Sequence, residues 1–483
     1  MKDGLEFSSQ ELRSFAYQLT EDLIDYLEGL SRGFPGPRDP GISRIRGLIS
    51  EPVPEHGEGL LAAWEAVQEK IIPWSTKVGH PHFLAWIRTS PLAGVVFTEA
   101  LTAALNQSVA VWEGAPAAAE VEKLVLEWLV ELSGYQPGAG GILTSGGSMA
   151  NFTGLAAARN RLDPDVRKKG LSGGSPMTLY LTSETHYSVI KAVEMLGIGR
   201  DWVRFVPVDD RLRMAPAALK QKIKADKMSG YRPLAVAATL GTTSTGACDD
   251  LAALAAVCQE EEVWLHVDGA YGGLAALDPS KTHLIRGLEQ ADSFVLDPHK
   301  NLFMPFEVGC VLVRDWRDLR NAFAVRSDYL PNSEMSKSGE FPSGLHFRDY
   351  GPQLSRRFRA LKIYLALKAY GVEPITAEIT RQHQLADKLG KMISEAEDFQ
   401  PLAAVSLGIV AFCYQPQEEL SAEEVNDLHE RMVREIQRQG RIFLSQVKVG
   451  ERVGFRVCFV SHRTRVEHLA PILEEIRRAA GRV

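Results

Sequence analysis

Short apolar runs alternate with amphipathic stretches through the middle of this chain. Strand-like runs fall at 178–182, 202–208, 234–240, 263–267, 293–297 and 309–313, with helical stretches near 187–196, 215–228 and 249–260. That rhythm predicts an α/β fold: a mainly parallel sheet with helices on both faces and ligands at the strand ends. Outside this region the period changes. Ser8 and Ser9 precede Leu12, Phe15, Ala16, Leu19, Leu23 and Leu27, an amphipathic helical spacing over 8–30. Residues 33–59, rich in Gly, Pro and Arg, read as an irregular connection, and Leu60 to Ile72 as a second helix broken at Pro73. From Pro116 onward, Val121, Leu124, Val125, Trp128, Leu129 and Leu132 mark a core-facing helix, and 353–371 reads as another long one. Beyond 372 the order becomes helix, strand at 404–414, helix at 422–439, strands near 441–448 and 452–460, and a last helix at 465–480. The expected segments are therefore an N-terminal helical part (1–79), a large α/β domain (80–371) and a small α+β domain (372–483). The first is too short to bury its own apolar faces and needs another surface to cover.

Composition narrows the class only a little. A chain of 483 residues holds more than one core, and 45% hydrophobic with 24% charged residues describes an ordinary globular protein. A net charge of −7 argues against nucleic acid or an acidic membrane as the main partner. The five cysteines (248, 258, 310, 413, 458) are odd in number and lack metal-ligand spacing, so they suit a reducing cytosol and no metal site. The start, MKDGLEFSSQEL, has no apolar signal region, and no apolar run reaches membrane-spanning length. The expectation is a cytoplasmic protein with no membrane partner.

The candidate chemistry lies in two stretches. In ADSFVLDPHKNLFMPFEVGCVLVRD (291–315), Asp297, His299 and Lys300 sit between two buried strands. A lysine at the mouth of buried strands can lose solvation, which makes its neutral amine a usable nucleophile. Most loop lysines are solvated, so this feature alone decides nothing. VWLHVDGAYGG (263–273) changes that by delivering Asp268 at a strand end beside small residues. Together they point to pyridoxal phosphate, which needs a lysine for its aldehyde and an acid to keep the ring nitrogen protonated. Upstream, GGILTSGGSMANFTGLAAAR (140–159) is a glycine-rich turn that opens a helix and could cradle a phosphate, although such turns are more often caps.

These motifs resemble the pyridoxal-phosphate-dependent group II amino-acid decarboxylases, the family of aromatic-L-amino-acid decarboxylase. The likeness rests on Pro298-His299-Lys300 after a strand, preceded by His-Val-Asp-x-Ala-Tyr at His266 to Tyr271, and runs from about residue 10 to the C-terminus. It implies the fold type I architecture of pyridoxal-phosphate transferases, with a sheet of the seven-stranded type, and a homodimer with shared active sites. It also implies roles: Lys300 carries the cofactor, Asp268 faces the ring nitrogen, and His186 stacks on the ring and touches the substrate carboxylate. Gly147 and Ser148 hold the phosphate, Thr243 lies near the ring oxygen, and Ala270, Asp297 and His299 complete the cofactor site. Tyr329, in a long loop over 325–349, supplies a proton to the α-carbon. Trp86, Ile87, Arg88, Ser108, Ala110 and Ser355 fall at the substrate pocket. The implied activity is decarboxylation of an L-amino acid, aromatic by the bulk of Trp86 and Ile87, to the amine and carbon dioxide.

The chain departs from the family pattern at several points. Gly269 and Gly273 stand where many relatives carry alanine, Asn301 replaces a common tryptophan, and Asp297 replaces the asparagine of some relatives. Arg88 replaces a proline and could pair with an acidic side chain, which leaves an acidic-amino-acid decarboxylase open as an alternative. A decarboxylation-dependent aldehyde synthase is a second alternative, and Tyr329 counts against it. An aminotransferase would need a carboxylate-binding arginine that the likeness does not supply, and intact Asp268, His299, Lys300 and Tyr329 argue against a non-enzymatic scaffold.

Overall fold

The structure, a computed structural model, describes residues 5–37, 41–325 and 344–483. It divides into two compact units, one of residues 1–86, 413–457 and 461–483, the other of 87–412 and 458–460. These limits differ from the three segments expected from periodicity. The N-terminal helices fall in one unit with most of the C-terminal part, and 372–412 falls with the large sheet.

The larger unit is built on seven strands: β1 (Gly140–Thr144), β2 (Met177–Leu181), β3 (Val203–Phe205), β4 (Arg232–Thr239), β5 (Trp264–Asp268), β6 (Ser293–Leu296) and β7 (Gly309–Val313). Their order is β1-β7-β6-β5-β4-β2-β3. β2, β3, β4, β5 and β6 pair in parallel, while β7 runs antiparallel to both neighbours. The mainly parallel sheet is thus as expected. β1, β2, β5, β6 and β7 are buried at every position, which explains their continuous apolar runs: helices cover both faces.

β1 is the strand that periodicity missed, because two of its five residues are glycines. Both are required by close approach. A Cβ on Gly141 would lie 2.5 Å from the Val311 carbonyl oxygen, and one on Gly140 would lie 2.1 Å from the Trp316 ring. The expected helix at 353–371 also begins late, at Ala360. Arg356 is withdrawn into the core instead. Its guanidinium pairs with Glu122 and donates to the carbonyls of Val109 (2.6 Å) and Leu143 (3.0 Å). Tertiary hydrogen bonding there outweighs local helix propensity.

In the smaller unit the helix Ser9–Glu28 starts at a reciprocal capping box between Ser8 and Glu11, and Ala422–Gln439 starts at another between Ser421 and Glu424. Gly440, at φ 71°, ends the second. The connection 33–59 contains a helix, Ile42–Ile49, that its composition concealed. Ser445–Val449 and Arg452–Cys458 pair antiparallel in the C-terminal part. The single run expected at 404–414 is replaced by two strands, Phe399–Pro401 and Ile409–Tyr414, which fall largely in the larger unit. The last helix is Leu469–Ala480.

Candidate active site

β5 and β6 are parallel neighbours with Asp268 paired to Val295, so the chain leaves both at the same edge of the sheet. Asp268 ends β5. Just beyond β6, Asp297 precedes a single helical turn, Pro298–Asn301, in which Pro298 fits the first helical position. That turn presents Lys300, whose Nζ lies 3.1 Å from Asp297 Oδ2, with His299 Nε2 at 3.5 Å from the same oxygen. The Val308 backbone N–H donates to His299 Nδ1 at 3.2 Å, and the Thr89 hydroxyl donates to the His299 carbonyl at 2.9 Å. Asn301 Nδ2 donates to the Tyr271 carbonyl at 2.7 Å, which ties the turn to the segment after β5.

The helix Gly147–Leu162 begins at the same edge, directly after β1. Gly146 has φ 141°, and a Cβ on Gly147 would lie 2.9 Å from Asp297 Oδ2 and 3.1 Å from the Ala270 Cβ. Only glycine leaves that floor open. Between these elements lies a cavity of about 270 Å³, whose lining includes Gly147, Ser148, His186, Thr243, Asp268, Ala270, Asp297, His299 and Lys300. All nine residues expected at a cofactor are therefore gathered by five separate segments of chain. Burial lowers the pKa of His186, against the pull of the Asp268 charge, and burial likewise lowers that of His299. Both shifts favour the neutral ring.

The substrate-pocket expectations are not brought together in this way. Trp86 packs against Phe83 and Phe443 within the smaller unit. Ile87 packs against the core of the larger one, and Arg88 is exposed. Ser108 and Ser355 are exposed, Ser108 forming a β-bridge to Arg357, while the buried Ala110 accepts from Arg348 N through its carbonyl. None of Ile87, Arg88, Ser108, Ala110 and Ser355 lines the cavity. Tyr329 lies outside the described residues. The sequence reading missed Asn151, Ser188 and Thr239, which line the cavity too. Asn151 stands one turn into its helix, four residues after Gly147, and Ser188 is the second residue of the helix that His186 caps; those offsets were the available signal.

Residues 42–415 match the family model described as pyridoxal-dependent decarboxylase conserved domain. The chain belongs to this family. Over its whole length the decarboxylase is 34% identical to an aromatic-L-amino-acid decarboxylase of Bacillus atrophaeus, covering 98% of that protein. It is 29% identical to the aromatic-L-amino-acid decarboxylase of Bos taurus, with 99% and 97% covered. Among solved structures, Catharanthus roseus tryptophan decarboxylase in complex with L-tryptophan superposes with a TM-score of 0.89 at 26% identity, covering 99% of each chain.

The enzyme uses pyridoxal phosphate, and its cavity suits that group. The glycine-lined helix N-terminus offers backbone N–H groups to a phosphate, Asp268 offers a carboxylate and Lys300 offers an amine, all on the wall of the same cavity. The glycines that depart from the family pattern have a local cause. A Cβ on Gly269 would lie 2.5 Å from the Phe294 ring, and one on Gly273 would lie 2.9 Å from it, so Phe294 fills the space that alanine methyls would need.

Proposed function

We propose that this decarboxylase converts an aromatic L-amino acid to its amine, as a cytoplasmic homodimer, with Lys300, Asp268 and His186 at the centre of the chemistry. The observation that carries the reading is the convergence of those three side chains on one cavity at the strand ends, in a chain that matches aromatic-amino-acid decarboxylases along its full length.

Bound pyridoxal phosphate supplies an electron-accepting ring for the pair left by the breaking carbon–carboxylate bond. The protein supplies the rest. Lys300 holds the cofactor through its amine, and Asp297 at 3.1 Å keeps that amine in place. Asp268, 5% exposed, holds a proton at the ring nitrogen. His186, whose charged form is disfavoured by desolvation, would cover the bound ring and orient the substrate carboxylate. Gly147 and Ser148 would hold the phosphate, and Thr243 and Ala270 would help to hold the ring. The tyrosine expected to protonate the α-carbon, Tyr329, is outside the described residues.

Three helices of the smaller unit, Ser9–Glu28, Ile42–Ile49 and Leu60–Lys70, bury none of their residues, although Leu12, Tyr17, Ile42, Ile49, Leu61 and Ile71 are all exposed on them or at their ends. An apolar surface of this kind supports a second copy as its cover. Five buried cysteines without a disulfide support a reducing compartment. Among the described residues no helix is long and apolar enough to cross a membrane.

A panel of amino acids assayed for carbon dioxide and amine tests the substrate. Tryptophan, tyrosine and phenylalanine should exceed aspartate and glutamate by at least tenfold in kcat/KM. The reverse order would overturn the aromatic assignment and give Arg88 a binding role.

A further inference from the structure

A string of polar groups runs behind the cavity through an otherwise apolar interior. Trp264, His266 and Asp268 alternate along β5 and so share one face of the sheet. The Trp264 indole N–H donates to Ser293 Oγ at 2.7 Å, and Ser293 Oγ meets His266 Nδ1 at 2.7 Å. His266 Nε2 meets Asn151 Oδ1 at 2.9 Å. The Asn151 amide nitrogen donates to Asp268 Oδ2 at 2.9 Å and to Ser188 Oγ at 3.0 Å. Ser188 Oγ meets His186 Nδ1 at 2.7 Å, and the Ser188 backbone N–H points at the same nitrogen from 3.3 Å. His266 and Ser293 are fully buried, and Asn151 and Ser188 nearly so. Space for the string is made at Gly154, where a Cβ would lie 2.9 Å from the His266 ring.

Donor and acceptor counting gives this string a direction. An indole N–H can only donate, so Ser293 Oγ accepts from Trp264 and keeps its own proton available for His266 Nδ1. An ionised carboxylate can only accept, so the Asn151 nitrogen faces Asp268 and its oxygen faces His266, whose Nε2 must therefore carry a proton. The Asn151 end sets the His266 tautomer, and the Ser293 hydroxyl can donate to the bare Nδ1 that it leaves. Burial pushes the His266 pKa down to about 4, which agrees with a single ring proton. At the other end, a backbone N–H can only donate, so His186 Nδ1 is an acceptor. Ser188 Oγ takes a hydrogen bond from Asn151 and gives its own proton to that nitrogen. The one proton of the neutral His186 ring is left on Nε2.

We propose that Asn151 and Ser188 are positioning residues that lock His186 as the Nε2–H tautomer, so that the cavity meets the incoming amino-acid carboxylate with a hydrogen-bond donor. The same Asn151 amide holds Asp268 as an acceptor, so one side chain couples the two groups. The alternative tautomer would turn a lone pair toward the carboxylate and repel it. The role rests on the decarboxylase reading of the cavity.

Holoenzyme labelled with ¹⁵N-histidine tests the proposal, with His186 signals assigned by difference against His186→Gln. In the unsubstituted enzyme His186 should show a protonated Nε2 and a bare Nδ1 across pH 6.5–8. Asn151→Ala and Ser188→Ala should populate both tautomers and lower kcat/KM by roughly ten- to a hundredfold, the range for one hydrogen bond to a charged group. Ser188→Thr, which keeps the hydroxyl, should retain the single tautomer and most of the rate. A proton on Nδ1 of His186 in the unsubstituted enzyme overturns the proposal without any variant having to fold. So does an unchanged tautomer and rate in Ser188→Ala, which removes one oxygen atom. Failure of every aromatic amino acid to release carbon dioxide would instead overturn the substrate reading and leave the tautomer measurement standing.

Discussion

Asp297 sets a carboxylate at the heart of the site: Oδ2 contacts Lys300 and His299, while Oδ1 is buried without a hydrogen bond among the described residues. A carboxylate there pairs with Lys300 at 3.1 Å and repels a phosphate. Asp297→Asn should therefore tighten pyridoxal phosphate binding severalfold, measured by cofactor fluorescence titration; weaker binding would mean that the charge serves to hold the lysine. Lys300→Ala should abolish turnover and leave no borohydride-stable cofactor adduct, and an adduct on another lysine would refute the assignment. Tyr329→Phe, read from sequence alone, should still release carbon dioxide but yield less amine, with oxygen consumed and aldehyde formed. Unchanged amine yield would place the proton donor elsewhere.

At the scale of elements, the site depends on how closely strand ends and one helix start can approach. Gly147→Ala would push a methyl to within 2.9 Å of Asp297 and 3.1 Å of Ala270. Cofactor affinity should fall by about tenfold or more, equivalent to roughly 1.4 kcal/mol, with little change in the circular dichroism of the fold. Behind the site, the wholly buried Glu122 and Arg356 tie the helix Pro116–Ser133 to β1, because Glu122 Oε1 also accepts from Leu143 N at 3.1 Å. Removing one partner strands the other charge in the core. Glu122→Ala should cost about 3–5 kcal/mol in denaturant unfolding, whereas an exposed pair such as Lys391–Glu395 should contribute less than about 1 kcal/mol.

For the whole molecule, the uncovered helices predict assembly. Sedimentation at assay concentration should show a dimer, and Leu12→Glu with Ile24→Glu, at two exposed apolar positions of one helix, should weaken it and lower activity together. A fully active monomer would refute the shared site. Acid sensitivity has a definite sign. Burial lowers the pKa values of His80, His82 and His266 to about 4, from the ordinary 6.5. As pH falls below about 6.5 the unfolded chain binds protons that the fold refuses, so stability declines until the folded rings protonate near 4. The Tm should be flat from pH 8 to 7 and fall steadily from 6.5 to 4.5, and His80→Gln should flatten that fall; a Tm that rises on acidification would contradict it.

The sequence by itself determined the alternation of buried strands and helices, and with it the edge of the sheet where Asp268, Asp297 and Lys300 emerge. Side-chain period and strand length are local properties, and three chemical groups at successive strand ends need no packing information to be noticed. What it concealed was settled by approach between distant segments. β1 looked like a turn because its glycines answer to Val311 and Trp316, more than 150 residues away. Arg356 looked helical because nothing near it in sequence announces Glu122. Asn151 and Ser188 are ordinary helix residues until the fold sets one against Asp268 and His266 and the other against His186. Hydrogen-bond direction belongs to pairs of groups, and only the tertiary structure decided which groups became pairs.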